Sequence, residues 1–152
     1  MRHLILTLQA LLLCALPCLA QSLNDSADNV LGTYYVNHGD SDSKVSVTKA
    51  SDGTYTAKVI WVADSVDKNG NKYLDVKNPD KSLRSVPVDQ VVLIKGLKYI
   101  PEKKVWGDTK VYDPTRGIRA NVTVKFLEDG RLSLRGQVLG IGETVYWKKI
   151  TK

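Results

Sequence analysis

Cysteine is nearly missing from this chain of 152 residues: only Cys14 and Cys18 occur, both within the first twenty. Those twenty residues carry a basic start, Met1-Arg2-His3, and an almost unbroken apolar run from Leu4 to Leu16. Pro17-Cys18-Leu19-Ala20 follows, with small residues where signal peptidase prefers them. The expectation is a signal peptide over 1–20, cleaved to leave Gln21 as the amino terminus. Leu13 and Pro17 are poor residues immediately before a lipidated cysteine, which disfavours a lipoprotein start. The apolar run falls short of the roughly 20 residues that a membrane-crossing helix needs, so no transmembrane anchor is expected. A mature chain without thiols excludes disulfides, thiolate metal sites and cysteine nucleophiles.

Histidine is scarce as well. His3 leaves with the leader, and His38 remains in the turn-like Asn37-His38-Gly39-Asp40. One imidazole without cysteines makes a poor zinc set. No G-x-S-x-G occurs, which argues against a serine nucleophile on a strand-to-helix elbow. Asp67, Asn69 and Asn71 alternate as in a calcium loop, but Lys72 stands where the loop glycine belongs and Asn78 where a bidentate Glu is needed. A tight turn at Asn69-Gly70 is the better account, and neither a metal nor a cofactor is expected. Asp75, Asp80, Asp113 and Glu143 offer paired carboxylates, yet each fits a solvated turn more readily.

Acidic residues are outnumbered, 16 against 22 Lys and Arg; loss of Arg2 with the leader leaves +5. The basic residues are spread along the chain with no dense patch, which argues against nucleic acid and leaves an anionic envelope component as the charged partner.

Helical periodicity is almost absent too, and alternation takes its place. Val45 and Val47 share one face of a run from Lys44 to Thr48. Tyr55, Ala57, Val59 and Trp61 share one face of Thr54 to Trp61, after the Asp52-Gly53 turn. Val88 to Leu97 is apolar and β-branched, Lys103 to Tyr112 is mixed, and Ala120, Val122, Val124 and Phe126 alternate within Ile118 to Phe126. Arg131 to Val138 and Thr144 to Ile150 complete about eight strands with Tyr34 to Val36. This predicts an all-β single domain over 21–152, a small antiparallel up-and-down barrel, with a two-sheet sandwich as the alternative. Closure removes exposed strand edges. The inward residues of such a barrel either fill it or leave room for one small ligand. Tyr55, Trp61, Phe126 and Trp106 are the candidate pocket residues; Trp147 is also in or beside a strand, where an aromatic is usually core.

One stretch is not strand-like. From Ala63 to Pro87 the chain is polar and bounded by turn residues, and Asp75, Lys77, Asn78, Pro79, Asp80 and Arg84 fall close together in it. Proline fixes a corner at Asn78-Pro79-Asp80, and the Arg84 guanidinium matches the carboxylate of Asp75 or Asp80. Tyr112-Asp113-Pro114 forms a second corner. Loops of this length usually carry specificity on a rigid scaffold, which places both corners at a barrel mouth.

The run Val30-Leu31-Gly32-Thr33-Tyr34, Lys58-Val59-Ile60-Trp61, the Asp75 to Arg84 block, Val111-Tyr112-Asp113-Pro114 and Tyr146-Trp147-Lys148 together resemble the bacterial family catalogued as domain of unknown function 2147. That family is similar to lipocalin-like (calycin) barrels. The resemblance implies an exported β-barrel of a Gram-negative bacterium, periplasmic or secreted, and no defined activity. Gly32-Thr33-Tyr34 looks like the glycine-x-tryptophan start of those barrels. In such barrels a basic residue of the last strand packs over that aromatic, and Lys148 or Lys149 stands there in this chain.

The first functional expectation is a non-catalytic binding module for a small apolar or amphipathic ligand or an envelope component. The second is a structural or protein-interaction component of the cell envelope. An enzyme would need Asp75, Asp80, Arg84 and Asp113 to converge in one cleft.

Overall fold

Alternating apolar residues and frequent turns produce, in the computed structural model, eight antiparallel strands closed into one barrel in chain order. The structure describes residues 21–38 and 41–151, so the leader lies outside the described residues. The strands are β1 (Gly32–His38), β2 (Ser41–Lys49), β3 (Tyr55–Val62), β4 (Val92–Ile100), β5 (Val105–Asp113), β6 (Ile118–Phe126), β7 (Leu132–Val138) and β8 (Ile141–Lys149). Alternation is cleanest in β6, where Val122, Val124 and Phe126 are buried and the residues between them are exposed. Val88 does not begin a strand: Val88–Gln90 is a 3₁₀ turn, and β4 starts at Val92.

β3 breaks its own alternation. Val45 faces Val59 while Lys44 faces Trp61, so Ile60 is an extra residue without an opposite number. A bulge of this kind turns every later side chain to the other face. Val62 therefore points inward and Trp61 outward, 41% exposed, with the Lys44 ammonium 5.2 Å from its ring centre. The inward assignment of Trp61 is corrected by that single residue.

Among the described residues the ring closes through three residue pairs, Tyr34 to Val36 of β1 against Trp147 to Lys149 of β8, and a bond from the Ile150 amide to the Thr33 carbonyl. Above them, Ile141 to Tyr146 pair with β7 alone among the described residues. β8 thus lacks a β1 partner along Ile141 to Tyr146, while β7 stays paired with β6 as far as Gln137, and the free part of the β7–β8 hairpin, its arm, is the tip from Val138 to Ile141.

The end of the barrel that holds the β2–β3, β4–β5 and β6–β7 turns is packed solid. Trp106 lies between Tyr99 and Phe126, with ring centres 5.1 and 5.8 Å away, and Tyr34, Tyr55, Leu97 and Leu132 complete the layer. Two short 3₁₀ turns, Leu23–Asp25 and Ala27–Val30, lie across this end as a plug. Ser22 and Asp25 form a capping box that fixes the first turn. Asn24 donates from Nδ2 to the Phe126 carbonyl and accepts from the Phe126 amide (2.9 and 2.7 Å), Trp106 Nε1 donates to the Ala27 carbonyl (3.0 Å), and Tyr34 donates to that of Val30 (2.8 Å). Buried strand-end groups are thereby satisfied by the plug rather than by water.

Lys149, not Lys148, is the basic residue that closes this end. Its Nζ donates to the Asn29 carbonyl at 2.8 Å and lies 5.9 Å from the Tyr34 ring centre, while Lys148 faces solvent. Burial pushes the Lys149 ammonium pKa down.

Burial raises Tyr34, Tyr55 and Tyr112 above the ordinary tyrosine value of 10.0; Tyr55, which also donates to Asp28, is pushed up to about 12. Each phenol is held protonated in the fold and released when it unfolds. Their contribution is therefore full below the unfolded pKa and is lost as pH rises through the folded values. The melting temperature is expected to fall once the pH passes about 10. An alkaline-insensitive melt up to about pH 12 would contradict the burial of these phenols.

Candidate functional site

Above the packed layer the barrel is hollow. A cavity of about 680 Å³ occupies the other half, within the roughly 300–1,000 Å³ usual for small-molecule sites. Its floor is Trp147, which rests on Tyr34 with ring centres 5.9 Å apart. The wall is Val36, Val59, Val62, Leu93, Val111, Leu134 and Val145. Room exists because Ala120 and Gly136, adjacent on β6 and β7, are small: a Cβ on Gly136 would already meet the Ala120 Cβ at 3.3 Å. Polar groups collect at the rim, where His38, Ser41, Asp64, Thr115, Arg116 and Glu143 stand. Ser41 Oγ is buried without a hydrogen-bond partner among the described residues.

The 63–91 segment forms one side of the mouth. Its two legs are joined by Tyr73 N to Ser65 O, Val88 N to Tyr73 O and Asp75 N to Val86 O, so it doubles back on itself as a strap. At its near end Asp67 accepts from the amides of Asn69 and Asn71 and from the Asn71 side chain. The carboxylate is used to order a turn.

Asp75 ties the strap to the wall. It is 3% exposed and accepts from the Tyr112 hydroxyl and from Asn78 Nδ2, both at 2.7 Å. Burial, then the bond to Asp75, raises the Tyr112 pKa. Asn78, 2% exposed, accepts the Asp80 amide at 3.0 Å, and Asp80 in turn caps the turn Lys81–Leu83 through the Ser82 amide and hydroxyl. The Ser82 bonds hold the Asp80 carboxyl below the usual range. Pro79 lies at the exposed corner of this knot.

Arg84 does not pair with Asp75 or Asp80. Its Nε donates to the Asn78 carbonyl at 2.8 Å, because Asp75 is already enclosed and Asp80 is turned toward Ser82. Lys77 Nζ reaches across to the Thr115 carbonyl at 2.6 Å, linking the strap to the β5–β6 turn. Gly117 permits that approach: it lies at φ 69°, and a Cβ there would fall 2.3 Å from the Lys77 carbonyl oxygen. Asp113 orders the same turn by accepting from Thr115 and from the Arg116 amide. Arg116 Nη1 then bridges to Glu143 of β8 at 2.6 Å and holds that carboxyl below its ordinary range. This ion pair spans two elements of the rim.

Of the residues expected to line the pocket, Tyr55, Trp106 and Phe126 belong to the packed end and Trp61 to the outer wall; none borders the cavity. The first three do face inward but stand at the wrong height. Of the strap and corner residues, Tyr112 and Asp113 border the cavity, whereas Asp75, Asn78, Asp80, Arg84, Lys77 and Pro79 build its support. Asp75, Asp80, Arg84 and Asp113 each engage different partners and do not share a cleft. His38, Ser41 and the arm residues Leu139 and Ile141 were not read as lining; the direction of their strands is the signal that places them at the strap end.

No curated protein matches the chain. A solved structure of HP1028 from the human pathogen Helicobacter pylori, described as belonging to the lipocalin family, is similar at 25% identity. The match covers 80% of this chain and 83% of that one, with a TM-score of 0.63. Residues 32–149 match the family described as uncharacterised protein conserved in bacteria, DUF2147. That stretch runs from the first to the last residue of the barrel, so the chain belongs to the DUF2147 family and folds as a lipocalin-like barrel.

Proposed function

We propose that this protein is an exported, non-catalytic carrier that takes a small apolar or amphipathic molecule into the upper half of its barrel. The observation that carries the reading is the cavity of about 680 Å³, mostly apolar along its wall, where Ser43 stands between Val36 and Val62, with most of its polar groups at the rim. An apolar tail entering it leaves water for a preformed pocket, while a head group remains beside Ser41, His38 and the Arg116–Glu143 pair. Export, to the periplasm or beyond it, is supported by the leader-like first twenty residues. A non-catalytic role is supported by the dispersal of Asp75, Asp80, Arg84 and Asp113 among separate partners.

The test uses N-phenyl-1-naphthylamine, an uncharged dye that fluoresces in apolar surroundings. The wild-type protein is expected to bind it with micromolar affinity. Ala120→Phe points a ring into the cavity without entering the packed layer, and is expected to weaken binding at least roughly tenfold at unchanged melting temperature. Dye affinity unaffected by that ring would remove the cavity as the binding site.

A second reading, an interaction component of the envelope, is favoured by a row on the outer wall. Lys148, Tyr35, Lys44 and Trp61 are cross-strand neighbours on four successive strands, and all are exposed. Alternating cations and aromatics suit an anionic envelope component. Trp61→Ala leaves dye uptake unchanged under the carrier reading. Loss of retention on envelope fractions by the same variant would favour the second.

A further inference from the structure

The tip of the β7–β8 arm is built against the ordinary preferences of a hairpin turn. Its residues Leu139 and Gly140 have φ of 49° and 84°. A turn with two positive φ values is a place for Asn or Asp followed by Gly, since a leucine there crowds its own carbonyl. Leu139 is also 99% exposed, and Ile141 is 81% exposed. Among the described residues nothing covers this leucine, which is strained in the backbone and wet in the side chain. Such an outlier points to a use outside the fold.

The tip's position defines that use. Val138, Leu139 and Ile141 form an apolar point at the β7–β8 turn, past the last β6–β7 pair, Asn121 with Gln137, and where β8 has no β1 partner among the described residues. The same three residues, with Ile118 across the mouth, border the cavity. An apolar track thus runs from the point over the rim to Val145 and Leu134 inside. We propose that the arm is a membrane-docking element: its tip inserts among the head groups of a lipid bilayer and sets the mouth of the barrel against that surface.

Size and shape favour a lipid surface over a protein. A stable protein interface buries on the order of 1,000 Å² or more, and three side chains on a convex point supply far less. The flanking groups are polar or charged, namely Glu143 paired with Arg116 and, behind Gly142, the Arg135 guanidinium. A narrow apolar wedge with a charged collar is suited to shallow insertion, in which the wedge enters the acyl boundary and the collar stays with head groups. The purpose of docking, transfer of an apolar ligand across the rim, rests on the carrier reading; the docking itself does not.

The experiment is co-sedimentation of the mature chain with phosphatidylcholine vesicles. Wild type is expected to partition onto them. The double variant Leu139→Asn, Ile141→Thr gives the turn a residue it prefers and removes the wedge, and is expected to lose partitioning at least roughly tenfold. Its melting temperature should be equal or higher, and its uptake of N-phenyl-1-naphthylamine in lipid-free buffer unchanged. Loss of vesicle binding with retained dye uptake supports the proposal independently of whether the carrier reading stands. Wild type that stays in the supernatant, or a variant that binds vesicles as well as wild type, overturns it. So does a variant that melts lower, since the leucine would then serve the fold. A dimer in sedimentation velocity that the same two changes dissolve would assign the tip to a second copy and also overturn it.

Discussion

Trp106→Ala is expected to lower the unfolding free energy by about 3–5 kcal/mol. The side chain is 0% exposed and sits at the centre of the packed end, between Tyr99 and Phe126. Truncation removes its transfer energy, leaves a void that the surrounding strands cannot close, and strips the Ala27 carbonyl of its indole donor. Trp106→Phe separates the contributions, since it keeps most of the volume and loses the N–H; a cost of about 1–2 kcal/mol is expected. Urea unfolding monitored by far-ultraviolet dichroism measures both. Dye uptake by the folded fraction should be unchanged, because Trp106 does not border the cavity. A folded Trp106→Ala protein that no longer takes up the dye would contradict the division of the barrel into a packed and a hollow half.

Asp75→Ala is the second large effect, about 3 kcal/mol. Two donors, the Tyr112 hydroxyl and Asn78 Nδ2, lose their acceptor inside the structure, and hydrogen bonds to a charged group are each worth about 1.5–3 kcal/mol. Asp80→Ala removes only a cap at a solvent-exposed turn and should cost clearly less. Arg84→Ala removes one bond to a carbonyl and should cost about 1 kcal/mol or less. The ordering is the content of the prediction. Equal losses for Asp75→Ala and Asp80→Ala in urea unfolding would mean that the strap is not anchored through Asp75.

The barrel itself was legible because alternation reports which side of a sheet a residue faces. In β6 the alternating run from Ile118 to Phe126 coincides with the strand itself. Alternation does not report height, which is why Tyr55 and Phe126 were read as pocket residues. Height was nevertheless available. In an up-and-down barrel the turns alternate between ends, so the start of β3 and the end of β6 share the end opposite the strap. Trp61 was beyond such reasoning, since nothing in Val59-Ile60-Trp61-Val62 marks Ile60 as the residue to be skipped.

The strap was recognised by its composition, and its corner at Asn78-Pro79-Asp80 is present. The partner of Arg84 was not recoverable, because which carboxylate is enclosed depends on Tyr112, which lies 37 residues away along the chain. The polar stretch from Gln21 to Asp28 has no alternation that would tie it to the barrel. Ser22 and Asp25, spaced as a capping box, were its one legible mark.

That plug has a kinetic consequence. Its bonds join residues far apart in sequence: Ala27 to Trp106 across 79 positions, Asn24 to Phe126 across 102, Asn29 to Lys149 across 120. Contacts of such separation form late, because the loop they close must first be ordered. The first residues of the barrel are therefore among the last to settle. Until β8 has been made there is no Lys149 to hold Asn29, so a growing or threaded chain keeps its base open and its beginning free.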